Sequence, residues 1–167
     1  MLSTFLLFFF LQRPTPFYFF TSYNAPPLFT FLPFYPFTLM KYSFIIPVYN
    51  RPDEVDELLE SMTRLTLDDF EVVVVEDGSA VPCKDVCAKY DGRLDIRYFS
   101  KSNSGPGQTR NYGVERARGE YAIILDSDVV LPEGYLAAVD EELRREPADA
   151  FGGPDSSHPS FTPTQKA

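Results

Sequence analysis

The chain has 167 residues, room for one domain, and a formal net charge of −9. All 24 acidic residues follow position 40, which excludes the basic face that a nucleic-acid binder needs and leaves open a nucleotide, which needs only local donors and a metal. Cys83 and Cys87 stand four apart with no His or Cys cluster nearby; they are expected to pack as small apolar residues in a reducing compartment, short of the ligands of a zinc site.

Residues 1–40 differ from the rest. They hold 11 of the 16 phenylalanines, one basic residue (Arg13) and no acid. Met1 to Leu11 is apolar but too short for a bilayer, which takes about 20 residues. It lacks the positive start and small-residue cleavage site of a secretory signal. Pro14, Pro16, Pro26, Pro27, Pro33 and Pro36 break any continuing helix. The segment is therefore expected to be irregular, and residues 1–39 to be translated upstream sequence with the true start at Met40. A membrane-associating leader is the alternative. The expected division is a leader over 1–40, one α/β domain over 41–151 and a polar tail over 152–167.

From Lys41 the pattern alternates. Phe44 to Val48 predicts a strand. Asn50 is a candidate cap, Pro52 suits a first helical turn, and Val55, Leu58, Leu59, Met62 and Leu65 mark an amphipathic helix over 52–64. Phe70 to Val75 predicts a β-branched second strand. Cys83, Val86, Cys87 and Tyr90 mark a second helix, and Leu94 to Phe99 a third strand. The turn Asn103-Ser104-Gly105-Pro106-Gly107 leads into a helix through Arg118. Tyr121 to Leu125 predicts a fourth strand. Pro132 opens a helix with Leu136, Val139 and Leu143 inward, and a short strand is expected around Ala148 to Phe151. Strand–helix alternation of this kind means right-handed crossovers and a mainly parallel sheet.

Three polar clusters follow strands. Pro47-Val48-Tyr49-Asn50-Arg51 follows the first, Glu76-Asp77-Gly78-Ser79 the second and Asp126-Ser127-Asp128 the fourth. In a parallel sheet all three fall on the carboxyl edge, where such folds bind ligands. Asp126 and Asp128, at i and i+2, point to one side of an extended chain. Two like charges there call for a cation, and a divalent metal carrying a diphosphate meets the need with one or two carboxylates plus phosphate oxygens. A solvated acidic loop is the plainer alternative for an isolated Asp-x-Asp.

Taken together, Ser43-Phe44-Ile45-Ile46-Pro47-Val48-Tyr49-Asn50, Val75-Glu76-Asp77-Gly78-Ser79, the Asn103-x-Gly105…Arg110-Asn111-x-Gly113…Gly119-Glu120-Tyr121 run and Leu125-Asp126-Ser127-Asp128 resemble glycosyltransferase family 2 over residues 42 to about 150. The resemblance implies the GT-A nucleotide-sugar-binding fold, an α/β Rossmann-like sheet flanked by helices, here incomplete. It implies transfer of a sugar from a nucleoside diphosphate donor, a UDP-sugar foremost, to a glycan, lipid-linked or other hydroxyl acceptor, mostly with inversion. The cofactor implied is a divalent metal, Mn²⁺ or Mg²⁺.

On this resemblance Pro47, Tyr49 and Asn50 shape the nucleotide pocket with Arg51 close by, and Asp77 accepts a hydrogen bond from the base. Glu76 stands where the family more often has Asp. Arg110 and Asn111 lie near the nucleotide or sugar, Asp126 faces the ribose or sugar, and Asp128 binds the metal. Val129 replaces a second terminal Asp. Met40 to Pro47 reads like the start of a cytosolic enzyme, so a cytoplasmic location is expected, with the cytoplasmic face of the membrane as the alternative. The general base of the family comes from a later segment, so its equivalent is expected beyond Ala167. Within the chain Asp155 is the one late acid and the weaker candidate, and His158, the sole histidine, reads as a loop residue.

Two readings compete. Asp126-x-Asp128 is similar to the nucleophile motif of dehalogenase-type phosphatases, but that motif ends a first strand and continues to Thr, and here Val129 follows the fourth. Gly105-Pro106-Gly107 with Gly113 lacks the spacing of a dinucleotide fingerprint. The second competitor is a nucleotide-sugar-binding fragment that lacks the acceptor half and the base, and so binds a donor while transferring sugar poorly.

Overall fold

The computed structural model describes residues 40–150, Gly152 and the backbone of Leu7–Phe10. The elements in chain order are β1 (Leu7–Phe10), β2 (Tyr42–Val48), α1 (Pro52–Met62), β3 (Phe70–Asp77), α2 (Lys84–Ala88), β4 (Ile96–Lys101), α3 (Pro106–Val114), β5 (Tyr121–Ile124) and α4 (Tyr135–Arg145). The sheet order is β1-β5-β2-β3-β4. β2 to β5 are mutually parallel, which brings the carboxyl ends of all four to one edge.

The central strands are buried on both faces, which is why they read as continuous apolar runs rather than alternating ones. Side-chain alternation divides them between two cores. Phe44, Ile46, Val72, Val74, Ile123 and Leu125 pack against α1 and α4. Ile45, Val73, Val75, Ala122 and Ile124 pack on the opposite face, which α3 covers.

Two glycines permit close approach. A Cβ on Gly113 would sit 2.5 Å from the Ile45 Cγ2, so α3 lies tight on the sheet. A Cβ on Gly119 would sit 2.7 Å from the Tyr42 carbonyl carbon and 2.8 Å from the Ser43 nitrogen, both backbone atoms.

Glu71 is wholly buried at the start of β3. Ser43 Oγ donates to Oε1 at 2.7 Å, Arg118 Nε to Oε2 at 2.8 Å and Arg97 Nη1 to Oε2 at 3.2 Å, and the Arg118 backbone N–H adds a further bond to Oε1. Gly119 N–H donates to Ser43 Oγ at 2.8 Å. Burial works against the Glu71 charge, but these donors outweigh it and hold the carboxyl below the usual range.

Several element boundaries differ from expectation. α1 ends at Met62 rather than 64, and its cap position is Arg51, with no side-chain cap from Asn50. β4 starts two residues late and runs on to Lys101 because it pairs with β3 through Asp77. α3 ends at Val114, short of Arg118, and the last helix opens at Tyr135 rather than Pro132. Residues 148–150 form no strand, and Phe151 lies outside the described residues. The leader is not wholly irregular: Leu7–Phe10 pairs antiparallel with Tyr121–Ile124, occupying the hydrogen-bonding edge that β5 would otherwise expose. Among the described residues no helix is long and apolar enough to cross a membrane.

Two outcomes follow for stability. Gly113→Ala should cost about 1–3 kcal/mol in urea unfolding, and Gly119→Ala more, because a side chain can yield where backbone cannot. Glu71→Gln should cost about 1.5–3 kcal/mol at neutral pH. A depressed carboxyl pKa stabilises fully above the ordinary value of about 4.3, and the contribution is lost as pH falls through the lower folded one. The gap between wild type and Glu71→Gln should therefore close on acidification; a gap independent of pH would count against the charged network.

Candidate functional site

The carboxyl ends of the parallel strands open on a cleft of about 560 Å³. β2 contributes Pro47, Val48 and, just beyond it, Tyr49 and Arg51; β3 contributes Asp77; the segment after β5 contributes Asp126, Ser127 and Asp128. Gly105, Pro106, Thr109 and Arg110 bring in the N-terminal turn of α3. Tyr49 is an apolar ring left 53% exposed at the cleft wall.

Asp77 gathers one side of the cleft. Ser104 N–H donates to Oδ1 and Gly105 N–H to Oδ2, each at 2.9 Å, and Lys101 Nζ also bonds Oδ1. Burial opposes the Asp77 charge, yet the Lys101 bond and the loop N–H groups outweigh it and keep the carboxyl below its usual range. Lys101, the Ser104 and Gly105 amides and the Thr109 hydroxyl all bear on this one carboxylate. Gly78, with φ +72°, lets Asn103 approach, where a Cβ would meet the Asn103 nitrogen at 2.7 Å. Asn103 Nδ2 then donates to the Asp77 carbonyl at 2.9 Å.

The opposite side carries two acids, each beside an arginine. Arg110 Nη2 lies 2.7 Å from Asp126 Oδ1. Arg51 Nη1 lies 3.6 Å from Asp128 Oδ2 and straddles the Glu54 oxygens at 3.0 and 2.8 Å. Ser127 Oγ donates to Glu54 at 3.3 Å.

The structure thus brings Pro47, Tyr49, Arg51, Asp77, Arg110, Asp126 and Asp128 to one cleft, and leaves three expected residues out of it. Glu76 follows strand alternation onto the other face of β3. There it is buried, accepts from Cys83 N–H at 2.8 Å and Tyr98 OH at 3.2 Å, and holds Ser79 Oγ. Asn50, at φ +56°, turns its Oδ1 to the N–H groups of Ala80 and Val81 at 2.7 and 3.1 Å, so it shapes the loop behind the cleft rather than its wall. Asn111 is exposed on α3, one position round the helix from Arg110. Both parts of the expectation for a general base fall elsewhere: Asp155, His158 and the chain's last residue, Ala167, beyond which the base was expected, all lie outside the described residues.

Sequence reasoning missed Lys101 and Glu54, and gave Asn103 and Ser127 no role beyond their place in a motif. Lys101 carried a signal only through register, because it is paired with Asp77 across β3 and β4. Glu54 carried a local one, three residues from Arg51 in a first helical turn.

A divalent metal is tested by the donor set. Among the described residues no three acidic, His or Cys side chains group into a metal site. Among the described residues Asp128 has the longer contact to Arg51 as its ion pair, which leaves it an available oxygen donor beside Asp126. Such a pair suits a hard cation whose remaining ligands come from a substrate diphosphate and water.

Residues 43–165 match the model of glycosyl transferase family 2. An uncharacterized glycosyltransferase of Rickettsia bellii is 42% identical over 90 residues, which is 53% of this chain and 13% of that protein. The uncharacterized glycosyltransferase EpsJ of Bacillus subtilis is 32% identical over 111 residues, 66% of this chain and 32% of EpsJ. The crystal structure of Staphylococcus aureus TarS 1-349 in complex with UDP-GlcNAc superposes with a TM-score of 0.61 at 33% identity, covering 64% of this chain and 32% of that one. A mannosyltransferase from Pyrobaculum calidifontis, solved with GDP-Man and Mn²⁺, shares the fold at 24% identity with a TM-score of 0.58, covering 62% of this chain and 32% of that one. The chain spans a third or less of each of these proteins. The parallel sheet with helices on both faces is the GT-A type of α/β fold.

Asp77→Asn presents an amide N–H₂ to donors already aimed at the carboxylate. Urea unfolding should show a loss of about 1–3 kcal/mol. An unchanged midpoint would mean that the Ser104–Gly105 turn holds itself.

Proposed function

The chain belongs to glycosyl transferase family 2, and on that basis we propose that its cleft binds a nucleoside diphosphate sugar, a UDP-sugar foremost, for transfer to a hydroxyl acceptor. The observation that carries the reading is the convergence of Tyr49, Asp77, Arg110, Asp126 and Asp128 on one strand-end cleft. TarS, a fold neighbour at 33% identity, was solved with UDP-GlcNAc.

The exposed face of Tyr49 offers a stacking surface for a base. Asp77 stands on the cleft wall in an orientation fixed by the Ser104 and Gly105 amides, where its carboxylate can face a base N–H. Arg51 and Arg110 bring two guanidinium charges to the side of the cleft where a diphosphate would lie. Asp126, tied to Arg110, is placed for sugar or ribose hydroxyls. Asp128 would hold the Mn²⁺ or Mg²⁺, which when bound neutralises charge developing on the leaving diphosphate. Attack by the acceptor hydroxyl on the anomeric carbon in a single displacement would invert the configuration.

One observation favours a second reading, donor binding without turnover. The cleft-lining carboxylates among the described residues, Asp77, Asp126 and Asp128, each face a cation: Lys101, Arg110 and Arg51. None is left as a ready general base, a group that typically contributes about 10²–10⁴-fold. Asp155 is the candidate beyond them.

Asp128→Ala should abolish Mn²⁺-dependent binding of UDP in calorimetry while leaving the thermal midpoint nearly unchanged, because the Asp128 side chain is half exposed. Unchanged, metal-independent affinity would remove the donor-site assignment. Robust multiple-turnover sugar transfer by the same chain would eliminate the binding-only reading.

A further inference from the structure

Arg51 faces the Glu54 and Asp128 carboxylates unequally, and its charge reaches Asp126 more weakly still. Its Nη1 lies 2.8 and 3.0 Å from the Glu54 oxygens and 3.6 Å from Asp128 Oδ2. Glu54 is the anchor, and it also accepts from Ser127 Oγ at 3.3 Å, the residue between the two acids of the Asp-x-Asp segment. The Arg51 and Asp128 side chains are each about half exposed, at 51% and 49%. Their attraction is thus screened and weak enough for another cation to displace. Asp126 is held differently, by a direct 2.7 Å contact to Arg110. Of the two acids, then, only Asp128 is balanced by a loosely held charge, and that charge is tethered within reach.

Resting on the donor-site reading above, we infer that Arg51, anchored by Glu54, is the built-in counter-ion of Asp128: it offsets the carboxylate while the cleft is empty and turns to the diphosphate when metal and donor arrive. The two halves of the role oppose one another. A fixed positive charge beside Asp128 repels a metal binding alone. The same charge attracts a diphosphate once the metal is in place, and a guanidinium suits phosphate oxygens in particular. Glu54 acts through Arg51 and is a positioning residue, since it holds the guanidinium at the cleft mouth instead of letting it close fully on Asp128.

The test separates two affinities on the full chain. Binding of Mn²⁺ alone is followed by the spectroscopic signal of the free ion. Binding of UDP at saturating Mn²⁺ is followed by calorimetry. Arg51→Met should raise the affinity for Mn²⁺ alone about 3-fold, as expected for losing one exposed competing pair. It should lower the affinity for UDP by about 10-fold or more, as expected for losing a hydrogen bond to a charged group. Arg51→Lys, which keeps the charge, should retain the wild-type Mn²⁺ affinity. Affinities that move in the same direction in Arg51→Met, or do not move, overturn the counter-ion role, as does a Lys variant that behaves like the Met variant. Asp128→Asn distinguishes the deeper failure: if it leaves the wild-type Mn²⁺ affinity unchanged, the metal assignment to Asp128 itself is wrong.

Discussion

Glu71 is a charged group with no exposed surface, set at the start of the internal strand β3. An isolated carboxylate there would cost far more than a domain of this size could offset. It is tolerated because four donors from three other parts of the chain converge on it: Ser43 on β2, Arg97 on β4, and the backbone and side chain of Arg118 just before β5. Each donor belongs to a segment whose register matters. A one-residue slip of β2 or β4 would carry Ser43 or Arg97 to the other face of the sheet and leave the charge short of partners. The pairing of β2, β3, β4 and β5 is therefore tied to one buried carboxylate at the amino-terminal edge, and the strand ends at the opposite edge inherit their alignment from it.

That alignment creates an electrostatic problem at the carboxyl edge and solves it residue by residue. The protein carries a formal charge of −9, and three carboxylates meet in one cleft. Each has its own cation, and the three pairs differ in tightness. Lys101 and two backbone N–H groups hold Asp77 as part of the wall. Arg110 holds Asp126 in direct contact, and Arg51 approaches Asp128 only loosely. The gradient from tight to loose pairing runs across the cleft from Asp77 through Asp126 to Asp128. Preorganised charge of this kind requires little rearrangement when a ligand arrives.

Much of this was legible in the chain. The β-branched apolar runs, the helical periodicity of Val55, Leu58, Leu59 and Met62, and the polar clusters after the strands determine a parallel α/β sheet with polar residues gathered on one edge. These are local properties, and a parallel connection leaves the strand ends no other side on which to gather. The aromatic, proline-rich leader was legible only as an exception; its short pairing with β5 depends on a strand more than a hundred residues away.

Only the tertiary structure decided which polar residues face the cleft. Glu76 and Asp77 are neighbours in sequence, yet strand alternation sends one into the packing behind the cleft and the other to its wall. Asn50 spends its side chain on backbone donors 30 and 31 residues away, and Asn111 is rotated out of the cleft by the helix that presents Arg110. Lys101 meets Asp77 only through the register of β3 and β4. The division has one physical cause. Hydrophobic period and turn chemistry act over a few residues and are written in order along the chain. The partners of a carboxylate are chosen by strand register and helix packing, which bring together residues whose separation in sequence carries no mark of their contact.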